Sequence, residues 1–162
     1  MRNLFLGLFP IITLTFCKPA NDTEHVLDHD TKAQIQYQCT KTLFDYFAAI
    51  KKNGLKTEFD YLDNSEDFLW VPPGYNYALP YDSVADILTR NAGMYRSVEN
   101  VWGALYVNPM SYDLTAYNGT IDSYMTDTAG HKLHLKLIET GLMRKKNGKW
   151  KLLCGQTTMV AP

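Results

Sequence analysis

An α+β fold, with about three N-terminal helices packed on the concave face of a curved antiparallel sheet, follows from three features of the chain. Helical spacing of apolar residues is confined to the part of the chain before Val98. Alternation of apolar and polar residues runs through the second half from Val98 onward. The closing stretch from Leu133 to Thr158 is divided by Asn147-Gly148 into two alternating runs. Asn-Gly between such runs marks a tight hairpin, because both residues tolerate positive φ. Helices and sheet together enclose a cone with one open end, a natural place for a ligand cavity.

The elements follow in order. Met1-Arg2-Asn3 is a short positive start, and Leu4 to Phe16 is a nearly unbroken apolar run. The run is shorter than the roughly twenty residues a membrane span needs, and it fits the apolar core of a secretory signal. Residues 1–16 therefore read as a signal peptide, 17–30 as a polar tether and 31–160 as the folded domain. Leu14-Thr15-Phe16-Cys17 resembles a bacterial lipoprotein signal, in which Cys17 becomes the lipidated, membrane-held N-terminus. Ordinary cleavage near Ala20, or an uncleaved anchor, are the alternatives; each gives an exported chain, membrane-anchored, periplasmic or secreted.

Thr31 to Lys52 reads as an amphipathic helix, with Ile35, Cys39, Leu43, Phe47 and Ile50 on one stripe and Tyr46 flanking it. Asn53-Gly54 ends it. A second short helix is expected over Leu55 to Leu62, burying Phe59 and Leu62. Asp67 to Val71 is a short strand carrying Trp70, broken by Pro72-Pro73-Gly74 and followed by a loop with Tyr75, Tyr77 and Tyr81. Asp82 or Ser83 caps a third helix to about Tyr95, with Val84, Ile87, Leu88 and Met94 inward. Strands then run from Val98 to Val107 and from Tyr112 to about Thr126, and Asp127-Thr128-Ala129-Gly130 turns into the closing hairpin.

In that hairpin, pointing Lys136 and Arg144 to water puts Leu133, Leu135, Leu137, Glu139, Gly141 and Met143 on the core face. Glu139 thus sits where an apolar residue is expected. A carboxylate there is costly unless it is paired, hydrogen-bonded or open to a wet pocket, which makes Glu139 a pocket marker first and a candidate base second. On the last strand Trp150, Leu152, Cys154 and Gln156 share one face, so Gln156 is a candidate ligand contact. Leu142 and Leu153 interrupt the polar alternation on the opposite face, which points to covering by a second copy or a partner.

Aromatic residues make up 13% of the chain and tyrosine dominates them, a composition suited either to a small-molecule cavity or to a Tyr-rich core. Trp70 is a core pillar or a ligand platform. A net charge of −1 argues against a nucleic-acid groove. There is no Cys-x-x-Cys, and His25, His29, His131 and His134 make no ligand set, so neither a metal nor a cofactor is expected. In an exported chain Cys39 and Cys154 either bridge, if the first helix covers the last strand, or remain free thiols.

The order of elements is carried by three strings: Phe47-Ala48-Ala49-Ile50-Lys51-Lys52-Asn53-Gly54, Asp67-Phe68-Leu69-Trp70-Val71, and Lys145-Lys146-Asn147-Gly148-Lys149-Trp150-Lys151-Leu152. Together they resemble the nuclear transport factor 2-like superfamily, in particular its SnoaL-like and ketosteroid-isomerase-like branch, over Thr31 to Met159. The resemblance implies a cone-shaped fold and often a homodimer through the sheet. In the isomerases and cyclases of that branch a cavity carboxylate removes a proton beside a carbonyl, and a tyrosine or protonated acid stabilises the enolate. Carried over, Glu139 is the base, with Tyr46, Tyr77 or Tyr124 as oxyanion donor. The fold does not choose among functions. The readings are an envelope-tethered domain binding a small apolar or aromatic ligand, an isomerase, cyclase or dehydratase, and an interaction domain using the outer sheet face.

Overall fold

A computed structural model describes residues 27–160. The signal peptide, Cys17 and most of the tether lie outside the described residues.

Helix α1 spans His29–Asn53. Asp28 caps it by accepting the Thr31 backbone N–H at 2.8 Å, satisfying one of the orphan donors of a first turn. Gly54, at φ 84°, ends it by donating to the Ile50 carbonyl at 2.7 Å. The buried stripe is Ile35, Cys39, Leu43, Tyr46, Phe47 and Ile50, so Tyr46 belongs to the stripe and does not merely flank it. Next comes a 3-10 helix over Leu55–Asp60, two residues shorter than the helix expected over Leu55 to Leu62. Strands β1 (Leu69–Val71) and β2 (Leu79–Pro80) precede helix α2 (Tyr81–Ala92). The Tyr-rich segment thus contains a short edge strand that the sequence does not announce.

Four long strands complete the fold: β3 (Tyr95–Pro109), β4 (Leu114–Asp127), β5 (Lys132–Lys146) and β6 (Lys149–Met159). The sheet order is β2-β1-β6-β5-β4-β3. Only β1 with β6 is parallel, so the sheet is mixed rather than wholly antiparallel. Asn147 (φ 52°) and Gly148 (φ 76°) form the closing turn between paired Lys146 and Lys149, the backbone a two-residue hairpin demands.

Two bulges set which side chains reach the concave face. In β3 the pairing jumps from Trp102–Ile121 to Leu105–Gly119, and in β6 from Leu152–Met143 to Cys154–Leu142. An extra residue in one strand reverses the inward alternation beyond it. Before the first bulge Val98 and Trp102 are buried; after it Val107 and Pro109 are. Gly119 sits beside that bulge, and a Cβ there would lie 2.6 Å from the Ala104 carbonyl oxygen and 2.7 Å from the Trp102 ring. The glycine lets the indole stack on Phe47 of α1 at 4.6 Å and 18°, joining helix to sheet.

Arg144 does not point freely to water. It is half-buried and donates to Asp63 at 2.9 Å, Asp67 at 2.7 Å and Ser65 at 2.7 Å. Lys146 reaches the other Asp63 oxygen at 3.0 Å. Burial pushes the Asp63 carboxyl up, but hydrogen bonds from Lys146, Arg144 and Ser65 outweigh it and hold the group below the usual carboxylate range. The Asp63 N–H also donates to the Leu152 carbonyl at 2.8 Å. The segment from the 3-10 helix to β1 is thereby fastened to the closing hairpin.

Candidate functional site

A cavity of about 490 Å³ lies between α1, the 3-10 helix, α2 and the concave face of the sheet. Its walls are mostly apolar, including Phe47, Leu55, Leu62, Val84, Leu88, Ile121 and Leu137. Such a size and lining are usual for a small-molecule site.

Glu139 faces this space from the middle of β5. It is 6% exposed and both carboxyl oxygens are held: Tyr117 Oη donates to Oε1 at 2.8 Å and Thr157 Oγ1 to Oε2 at 2.9 Å. Trp70 Nε1 donates in turn to Thr157 Oγ1 at 3.2 Å, orienting that hydroxyl. Burial pushes the Glu139 carboxyl up to about 6, against the pull of the Tyr117 and Thr157 hydrogen bonds.

A second acid, Glu58, lines the same cavity. Tyr46 Oη donates to its Oε2 at 2.9 Å, and among the described residues no other hydrogen bond reaches the carboxyl. By area the residue is half-buried, yet burial of the carboxyl is the largest influence. It pushes Glu58 up to about 7, with the Tyr46 hydrogen bond opposing and the Glu139 charge adding to the rise. Burial also pushes Tyr46 and Tyr117 well above the ordinary phenol range, so both stay protonated donors. The cavity therefore holds two carboxyls, each with a tyrosine, and the Glu139 charge reaches Glu58.

Glu58 escapes a reading based on an α-helical period. In a 3-10 helix side chains three apart eclipse, which puts Leu55 and Glu58 on one side, and both line the cavity. The stop at Gly54 followed by Leu55-x-x-Glu58 was the available signal.

Of the residues expected at the site, Tyr46, Trp70 and Glu139 meet in the cavity. Gln156 does not. The bulge at Leu153 reverses the alternation of β6, so Gln156 is exposed and Thr157 takes the inward place beside Glu139. The same reversal pairs Cys154 with Leu142, one residue out of phase with inward Gly141 and Met143. Cys154 thus faces away from the α1 side, where Cys39 is buried against Thr115 Oγ1 at 3.5 Å; both are free thiols and no bridge joins them. Tyr77 is 59% exposed and packs edge-on to Tyr75, which lines the cavity in its stead. Tyr124 is exposed on the outer face, where it stacks on His134 at 4.5 Å and 5°. Neither Tyr77 nor Tyr124 is placed to donate to a ligand held at Glu139.

No family model matches the chain, and no curated protein matches it in sequence. Solved structures do. A candidate scytalone dehydratase from Novosphingobium aromaticivorans superposes with a TM-score of 0.71 at 14% identity, covering 82% of this chain and 88% of that one. A nuclear transport factor 2-like superfamily protein from Salmonella enterica serovar Typhimurium gives 0.69 at 11% identity, over 80% and 94% of the two chains. A type 2 hexachlorocyclohexane dehydrochlorinase gives 0.66 at 12% identity, over 83% and 90%. The chain has the nuclear transport factor 2-like fold.

Proposed function

We propose that the protein binds a small, largely apolar or aromatic molecule in the cavity, with its polar end at Glu58 and Glu139. The observation that carries this reading is the cavity itself: a space of about 490 Å³ lined mostly by apolar side chains, with Glu58 and Glu139 among its polar groups. A thermal-shift screen of the protein with apolar and steroid-like compounds tests it. Binding raises Tm with the logarithm of ligand excess over Kd; no shift across such a panel overturns the reading.

A second reading, proton transfer at a carbon beside a carbonyl, is favoured by one observation. Glu58, pushed up to about 7, is tuned near the pH at which an acid–base group works best. One of its oxygens has no protein partner among the described residues, whereas both oxygens of Glu139 are engaged. Glu58 then takes the base role, and Glu139, the base expected from sequence, sets its charge environment. The dehydratase and dehydrochlorinase among the structural neighbours are in keeping with such chemistry. Deuterium exchange at the α-carbons of 2-tetralone, followed by NMR, checks it: Glu58→Gln abolishes enzyme-dependent exchange and Glu139→Gln reduces it. Equal exchange in all three proteins would sink the idea.

The same reading places the protein outside the cytoplasm, supported by the apolar run from Leu4 to Phe16 ending at Cys17. Incorporation of labelled palmitate that is lost in Cys17→Ser checks the lipid-anchored form.

A further inference from the structure

The two cavity acids differ from Asp63, the other buried acid among the described residues, in what neutralises them. Asp63, whose side chain is 0% exposed, meets two cations, Arg144 at 2.8 Å and Lys146 at 3.0 Å. Glu139 and Glu58 are held by hydroxyls alone, and among the described residues no lysine, arginine or histidine forms an ion pair with either. Arg90 is the one cationic side chain in the cavity lining, and it is exposed. Burial of a charge without a countercharge is costly. The cavity therefore holds two carboxyls with no countercharge among the described residues.

We propose that the cavity takes an apolar ligand bearing a protonated amine, which supplies that countercharge between Glu58 and Glu139. This rests on the cavity being a ligand site, as proposed above. An ammonium would form charge-assisted bonds with both carboxylates, donating to Glu58 and to the remaining lone pairs of Glu139. The rings of Tyr46, Phe47 and Trp70 line the same space and favour a cation over their faces. An anionic ligand would bring a third negative charge into an apolar enclosure, and a neutral one would leave the pair uncompensated.

The sign of the pH dependence separates this class from a neutral carbonyl ligand. The titratable or charged groups facing the pair are Tyr46 from α1, Tyr117 from β4, Tyr75, Tyr95 and Arg90. Burial keeps Tyr46 and Tyr117 protonated, which leaves the two carboxyls to titrate. An ammonium needs them ionised, whereas a carbonyl needs a protonated acid as donor.

The experiment is calorimetric titration of the full chain with tryptamine, indole-3-ethanol and indole-3-acetate, three probes of one aromatic body and different charge. Tryptamine is expected to bind at least about tenfold tighter than the alcohol at pH 8, as charge-assisted bonds outweigh neutral ones. Its affinity should fall about 30-fold at pH 5.5 for a single group titrating at about 7. Glu58→Gln should weaken tryptamine by a larger factor than it weakens the alcohol, because only the amine loses a charge-assisted bond. If that variant fails to fold, the pH series on the unaltered protein decides. Equal binding of amine and alcohol, or tighter amine binding at pH 5.5, overturns the amine class while leaving the cavity reading intact. No binding by any of the three overturns both.

Discussion

Replacing Glu139 by glutamine should remove a pH-dependent penalty on stability without removing the hydrogen bonds around it. The amide oxygen still accepts from Tyr117 Oη, and the amide nitrogen can donate to the Thr157 hydroxyl, which now sit 2.8 and 2.9 Å from the carboxyl oxygens. The folded carboxyl holds its proton up to about 6 against an ordinary value of 4.5. Below the ordinary value both folded and unfolded chains carry the proton, and the folded state bears no penalty. As pH rises the unfolded chain ionises first, so stability declines until the folded carboxyl has also ionised. At 1.36 kcal/mol per pH unit the decline from this group is about 2 kcal/mol, complete above about pH 7. Glu58 behaves in the same direction over a higher window, and part of its rise comes from the Glu139 charge. The variant should therefore recover at least the Glu139 share. Urea unfolding followed by tryptophan fluorescence at pH 4 and pH 8, at one ionic strength, measures it. The two proteins should match at pH 4, and at pH 8 the variant should be the more stable by about 2 kcal/mol. A parent protein that loses no more stability than the variant between those two pH values would refute the burial argument.

Asp63→Asn removes the buried carboxylate that Arg144 and Lys146 hold, while Arg144 keeps Asp67, and should cost about 1.5–3 kcal/mol in urea unfolding, with high salt narrowing the difference because both cations are partly exposed. Gly155→Ala places a Cβ 2.4 Å from the Thr140 carbonyl oxygen and 2.8 Å from the Trp70 ring. It should destabilise by about 1–3 kcal/mol and loosen ligand binding through Trp70, read by thermal shift. Leu43→Ala, at a side chain of α1 that is 0% exposed, should lose about 2–5 kcal/mol, with a midpoint change at unaltered m-value.

The parts of this fold that show in the sequence are those governed by short-range rules. Apolar spacing located α1 to within two residues at its start, and Asn147-Gly148 located the hairpin, because helix period and turn geometry act between near neighbours. Glu139 was visible for the same reason: β5 carries no bulge, so its alternation holds from Leu133 to Met143. The rest depends on contacts far along the chain. Whether β6 carries an extra residue at Leu153 is decided by its register against β5 and β1, so Thr157 and Gln156 could not be told apart locally. The 3-10 form of Leu55–Asp60 is set between Gly54 and the fastening of Asp63 to Leu152 and Arg144, which is why Glu58 was not seen. The placement of Arg144 rests on acids 77 and 81 residues away in sequence.

The single extra residue in β6 has a consequence for how this cavity could change. It acts as a phase shift in a two-state register: upstream of it Trp150 and Leu152 belong to the interior, and downstream the interior is handed to Thr157. Removing Leu153 would make Leu152–Met143 and Cys154–Leu142 consecutive pairs, straightening the strand while Thr157 stays opposite Glu139 and Cys154 stays outward. Pairing the full-length strand without the bulge would instead carry the register of Leu152 onward, setting Gln156 opposite Glu139 and Cys154 opposite inward Gly141. The bulge thus decides whether a hydroxyl or an amide stands at the acid, and on which face a thiol lies, with no change of residue. The site chemistry is written in the pairing of a strand as much as in the letters of it.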